Sequence, residues 1–282
     1  MVSSLAISDA TDLTRPLGWF APSGSDDRAH ALGFRFAPGG VHLSKTMMLA
    51  ELTTVLDRFP NSDSAAVDRA VVVDNLFGKP TGTARRLALA HLNTLYGILA
   101  PRPIQLVALR LWPRNGVGRP MLALLCALAR EPLLRQSARP VLDAPPGASV
   151  RWPDLAAAIA TEYPDRYSPK MMKSLAQNCV SSWTQSGHLR GRVKKRRCVA
   201  EPSAETAAFA ALLGTVAGFG GPALLRSPWM RLLDRPEADI LSLLRRAESV
   251  GLARIRAGGG VVQIDVRRPM AEVLEVPNLV DS

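Results

Sequence analysis

From residue 44 to residue 142, apolar side chains recur three and four positions apart, and Pro or Gly closes each run after a few turns. Alternation of polar and apolar residues, the mark of a strand, is all but absent there. A chain punctuated in this way can pack helix against helix and little else. Ser44 is expected to cap a helix over 45–59 with Met47, Met48, Leu52, Val55 and Leu56 on one face, ended by Pro60-Asn61-Ser62. Ser64 opens a second helix that closes at Gly78, and Thr81 or Thr83 opens a third that ends before Pro101. Further helices follow over 103–112 and 118–130, with a short last one over 132–142. The expected fold is mainly α, and residues 33–145 are expected to form a compact helical bundle. Residues 1–32, rich in Ser, Asp, Gly and Pro without periodicity, read as a loosely ordered leader, and 143–150 (DAPPGASV) as a linker.

Charge then divides the chain. Nine of its 35 Lys and Arg, and none of its 24 Asp and Glu, fall in residues 166–200, so the other 247 residues hold 26 bases against 24 acids. A local excess of that kind attracts polyanions. Ser168-Pro169 is a good helix start, and Met171, Met172, Leu175, Cys179, Val180 and Trp183 make one apolar face of a helix that ends at Gly187. The other face carries Lys170, Lys173, Ser174, Gln177, Asn178 and Ser181, whose groups bond base edges and phosphates. Asn178 also stands at the boundary of the apolar face. A shorter helix opens upstream at Trp152-Pro153-Asp154, and Arg190, Arg192, Lys194, Lys195, Arg196 and Arg197 follow downstream. Two helices, a short turn and a basic extension outline a winged helix-turn-helix over 150–200. The plainer alternative is a solvated basic loop after an ordinary helix pair.

Residues 203–268 repeat the outline. Helices are expected over 204–217, 222–233 and 236–250, and alternation on both sides of Gly258-Gly259-Gly260 signals a β-hairpin. The charge here is mixed, which leaves a second DNA contact and a docking or dimerisation role equally open. The tail, 269–282, is expected to be loose.

Composition excludes several classes. With 47% apolar and 21% charged residues the chain is expected to fold rather than stay disordered. It lacks an apolar run long enough to span a bilayer and a secretory start, so a cytoplasmic location is expected, with no membrane partner. Cys126, Cys179 and Cys198 are odd in number and scattered, which argues against disulfides and a zinc site. The four histidines show no metal-ligand spacing, and GKPTGT at 78–83 lacks the spacer of a phosphate-binding loop. No catalytic residue, metal or cofactor is expected, and the chain does not read as an enzyme.

Three segments, APGGVHLSKTMMLAELTTVL (37–56), AVVVDNLFGKPTGTARRLALAHLNTLYGIL (70–99) and the helix pair over 150–190, together resemble the BrxA family of bacteriophage exclusion (BREX) systems. The resemblance covers residues 35–195; the leader and the unit at 203–268 depart from it. It implies a NusB-like all-helical first domain and non-catalytic DNA binding within a phage-defence island that also encodes a methyltransferase and an ATPase. Asn75, Leu76, Thr83, Arg85 and Arg86 fall at matching positions, and Arg85 and Arg86, in the first turn of their helix, are candidate phosphate contacts.

The function these readings predict is binding of double-stranded DNA. Helix 169–186 would enter a groove while 190–197 grips the backbone, and neutralising about six phosphates would give a log–log salt slope near −5. Two other roles stay open. One is a protein-docking adaptor of a defence complex; the other is NusB-like RNA binding, which the lack of a clustered aromatic platform disfavours.

Overall fold

Polar side chains and prolines set where most of the helices begin. The computed structural model describes residues 18–21, 26–37, 39–60, 63–258 and 261–280, and the chain is mainly helical. α1 (Asp26–Leu32) precedes a 3-10 turn at Val41–Leu43, followed by α2 (Leu49–Arg58), α3 (Ser64–Val72) and α4 (Gly82–Tyr96). The Asp63 carboxylate accepts two backbone N–H groups at the start of α3, the Thr81 hydroxyl accepts one at the start of α4, and Gly97 (φ 67°) ends α4. α5 (Pro103–Leu111), α6 (Arg119–Arg130), α7 (Pro132–Gln136) and α8 (Ala138–Leu142) complete the first half of the chain. α9 (Trp152–Glu162) packs along α10 (Pro169–Gln185), which Ser168 caps, and β1 (Leu189–Arg190) pairs antiparallel with β2 (Arg196–Arg197). α11 (Ala204–Val216), α12 (Gly221–Leu225), α13 (Pro228–Arg231) and α14 (Glu237–Ser249) lead to a second hairpin, β3 (Arg254–Gly258) with β4 (Val261–Asp265), and α15 (Arg267–Val273) follows. Among the described residues no helix is long and apolar enough to cross a membrane.

Tertiary hydrogen bonds move several expected boundaries. The helix expected from Ser44 starts only at Leu49, because residue Met48 takes a left-handed backbone (φ 54°). The Met47 N–H donates to Ser182 Oγ (2.9 Å), the Leu49 N–H to Gln185 Oε1 (3.0 Å), and the Tyr96 hydroxyl donates to the Met47 carbonyl (2.5 Å). These bonds give the extended segment 45–48 partners that a helix would otherwise supply. The next helix stops at Val72 rather than near Gly78, and Asn75 (φ 56°) takes over, its side-chain oxygen accepting from the Lys79 N–H at 2.7 Å.

Apolar contacts decide the rest. Within the expected loose leader, Phe20, Ala29 and Leu32 are buried, and the Trp229 indole N–H donates to the Phe20 carbonyl (3.0 Å). Residues 1–17 and 22–25 of that leader lie outside the described residues, as do Pro38 and residues 61–62, 259–260 and 281–282. The expected loose tail is also folded as far as residue 280: Met270, Leu274, Val276 and Leu279 are buried, and the Arg267 guanidinium bonds the Leu279 carbonyl. The expected linker 143–150 joins the first hairpin, with Ser149 bridging Arg196 and the Val150 N–H donating to the Lys195 carbonyl. α11 is apolar on every side, with Ala207 through Leu213 at 0% exposure, so it must be covered all round. It packs against α5 and α6 as well as α13 and α14, and buried side chains from Phe20 to Leu279 form one continuous cluster.

Candidate nucleic-acid interface

Helical periodicity sorts the side chains of α10. Positions 170, 173, 174, 177 and 181 fall three and four apart, so they share one face and run along about 16 Å of helix. Lys170, Lys173, Ser174 and Gln177 are exposed and Ser181 is half-buried, while Leu175, Ala176, Cys179, Val180 and Trp183 are buried behind them. Asn178 does not join this stripe. Its amide donates to the His42 carbonyl (3.0 Å) and fastens α10 to the 3-10 turn, which takes it out of the set of base-contact candidates.

The β1–β2 hairpin supplies the cations. Gly191 (φ 105°) makes its tight turn, since a side chain there would collide with the Lys194 carbonyl. Arg190, Arg192, Lys194 and Arg196 are exposed. Lys195 is half-buried with its ammonium on the Gly191 carbonyl (2.6 Å), and the Arg196 guanidinium donates to the Gly147 carbonyl (2.9 Å). Arg197 differs from the rest of the run. It is 4% exposed, forms a two-pronged ion pair with Asp234, and donates to the Val141 carbonyl (2.7 Å). Successive strand residues point to opposite faces, so with Arg196 outward Arg197 must point in. It is a structural cation, not a backbone contact for DNA.

Between α10 and this hairpin lies a cleft of about 740 Å³. Gln177 and Ser181 line it from α10, Arg192, Val193, Lys194 and Lys195 from the hairpin, and Trp152 and Pro153 from the start of α9. Five of the residues singled out in the sequence therefore meet in one place. Lys173 holds its ammonium 5.7 Å from the centre of the Trp152 ring, a cation–π contact at the edge of the same surface. Arg85 and Arg86 take no part in the cleft. Arg85 donates to the Val72 and Val73 carbonyls (3.3 Å each) and neutralises the negative end of α3, so it is not free for a phosphate, whereas Arg86 is exposed on α4.

Two buried groups that the sequence did not mark hold this surface in place. His188 at the foot of β1 is fully buried. Its Nε2–H donates to the Leu232 carbonyl (2.9 Å), Nδ1 stands 2.9 Å from Ser186 Oγ, and the ring meets Trp183 edge-on. Burial depresses its pKa to about 4, against the opposing pull of the Asp234 charge and the Leu232 bond. The ring is thus neutral at pH 7, and the 3.8 Å approach to Asp234 is not an ion pair there. The unfolded chain takes up a proton near pH 6.5 that the folded chain refuses until about 4, so stability is full above 6.5 and lost as pH falls across that window. The loss amounts to about 3 kcal/mol. Urea midpoints measured from pH 7 to 4 should fall accordingly in the wild type and lose that slope in His188→Gln; an equal slope in both would remove His188 as its source.

The second group is a chain of three. Glu131, His42 and Ser182 are all at 0% exposure, with His42 Nδ1–H donating to Glu131 Oε2 (3.3 Å) and Nε2 lying 2.8 Å from Ser182 Oγ. The order carboxylate, imidazole, hydroxyl is that of a hydrolase triad. Here, however, Ser182 Oγ also accepts the Met47 N–H and donates to the Asn178 carbonyl, and its burial bars any substrate. The arrangement works as a clamp between α6, the 3-10 turn and α10. Among the described residues no three His, Cys, Asp or Glu side chains gather as a metal site would need. No protein family, curated protein or solved structure matches the chain.

Proposed function

We propose that the protein binds double-stranded DNA without catalysing a reaction on it. On this reading α9, α10 and the β1–β2 hairpin, to which Ser149 is bridged, act as a winged helix-turn-helix. The β3–β4 hairpin behind α14 would be the wing of a second, modified unit. The first half would correspond to the NusB-like domain of the BrxA family, and the role to phage defence of the BREX type, with a methyltransferase and an ATPase as neighbours in the system.

One observation carries the DNA reading. Gln177 and Ser181 of the α10 stripe and Arg192, Lys194 and Lys195 of the hairpin border a single cleft, and the surrounding stretch 166–200 contains no carboxylate. An α-helix with exposed amide, hydroxyl and ammonium groups fits a major groove, and flanking Lys and Arg neutralise phosphates. The test is binding to a random duplex across a salt series, with wild type beside Arg192→Ala/Lys194→Ala/Lys195→Ala. Arg197 is left in place because of its buried ion pair. The wild-type slope is expected near −5, and the variant's shallower by about 2–3, since each lost phosphate contact removes roughly 0.9. An unchanged slope would take the hairpin out of the interface, and no binding at low salt would end the DNA reading.

A protein-docking role is the second reading. Val193 at the hairpin tip is 88% exposed and Met171 at the start of α10 is 45% exposed, apolar groups that a partner protein would cover. Isolation of a stable protein partner with no nucleic acid bound would favour it.

A further inference from the structure

The cleft beside α10 is built differently at its mouth and at its floor. At the mouth stand Arg192 and its lysine neighbours, which suit phosphate oxygens. The floor is apolar: Val150 is 2% exposed, Val180 is 7% exposed, and the Trp152 indole completes the wall. Beside that wall are the Gln177 amide, which both donates and accepts, and the Ser181 hydroxyl. A paired duplex lying on α10 would present base edges to the stripe and phosphates to the hairpin, and neither gains from apolar walls. A heterocyclic base gains from every part of the cleft, since its flat face stacks on an indole and its polar edge bonds an amide. The volume of about 740 Å³ falls among those of small-molecule sites, ample for one nucleotide and far too small for a duplex.

We infer that this cleft receives a single unpaired nucleotide of the bound DNA, stacked against Trp152 with its edge on Gln177 and its phosphate on Arg192. The inference rests on the DNA reading above and narrows the substrate to duplexes with a base that is already out of the stack. Such a base costs the least to capture.

The test uses two duplexes of roughly thirty base pairs, identical except that one carries a single bulged 2-aminopurine and the other is fully paired. The bulged duplex should bind about tenfold more tightly, within the range that one base–aromatic stack supplies. Its 2-aminopurine fluorescence should be quenched on binding. Trp152→Leu, which keeps an apolar side chain at the start of α9, should abolish both the preference and the quenching, so that bulged and paired duplexes bind it alike. Gln177→Ala, at an exposed position that leaves the fold alone, should lose part of the preference. A bulge also eases bending, so a preference that survives Trp152→Leu without quenching would overturn the inference. Equal binding of the two duplexes would overturn it too while leaving the DNA reading intact. Failure to bind either would overturn both.

Discussion

Replacing Glu131 by Ala is expected to destabilise the protein by about 3–5 kcal/mol, the cost of breaking a buried ionic cluster by removing one partner. Its carboxylate accepts the Val41 N–H (3.1 Å), the His42 N–H (3.3 Å) and the His42 imidazole (3.3 Å), and Arg35 pairs with it at 3.4 Å. Burial works against the charge, yet these hydrogen bonds, first those of the His42 side chain, hold the carboxyl below its ordinary pKa. Stability from Glu131 is therefore present above the usual carboxylate range and lost as pH falls through its lowered value, below the window set by His188. Gly40 is part of the same design. It sits at φ 141°, and a Cβ there would overlap the Glu131 carboxylate. Glu131→Gln keeps the shape but not the charge, and should cost about half as much as the alanine variant. Urea unfolding at pH 7 checks both. A loss under about 1 kcal/mol for Glu131→Ala would mean that the cluster does not hold α10 to the 3-10 turn.

The second large effect belongs to Arg197 and Asp234. Either one replaced by Ala leaves the other charge buried and unpaired, and each variant should lose about 3–5 kcal/mol. Asp234 also accepts the Ala200 N–H (3.0 Å), so the pair ties the end of β2 to the turn after α13. Arg197→Lys should recover little, because an ammonium cannot copy the two-pronged geometry of a guanidinium. The decisive comparison is with the neighbouring cations. Folded Arg197→Ala should bind DNA with the wild-type salt slope, whereas loss of Arg192, Lys194 and Lys195 should flatten it. A flattened slope in folded Arg197→Ala would return that residue to the interface.

Both effects show why only part of the site could be read in advance. The stripe Lys170, Lys173, Ser174, Gln177 and Ser181 was legible, since helical spacing alone places those positions on one face. Asn178 lies at the border of that face, and its partner is 136 residues away in sequence. Arg197 belongs to a basic run in which every charge looks alike. Only the pairing of β2 with β1 shows that alternate side chains turn inward. Arg85 looked like an anion site in the first turn of a helix, but the carbonyls at the end of α3 reached it first. Glu131, His42 and Ser182 gave no signal at all, because no local pattern connects residues 89 and 140 positions apart.

Sequence by itself determined that the chain is mainly helical, where most helices start, that a hairpin follows α14, and that the positive charge gathers in 166–200. Each of these follows from local causes: periodicity, capping groups, prolines and composition. Tertiary structure alone decided which polar residues stay on the surface, that the described parts of the leader (18–21 and 26–32) and the tail (to Val280) pack onto the core, and that α11 is covered by α5 and α6 as well as by α13 and α14. A buried N–H, carboxylate or guanidinium must find a partner wherever the fold brings one, and that choice is made by contacts far apart in the chain.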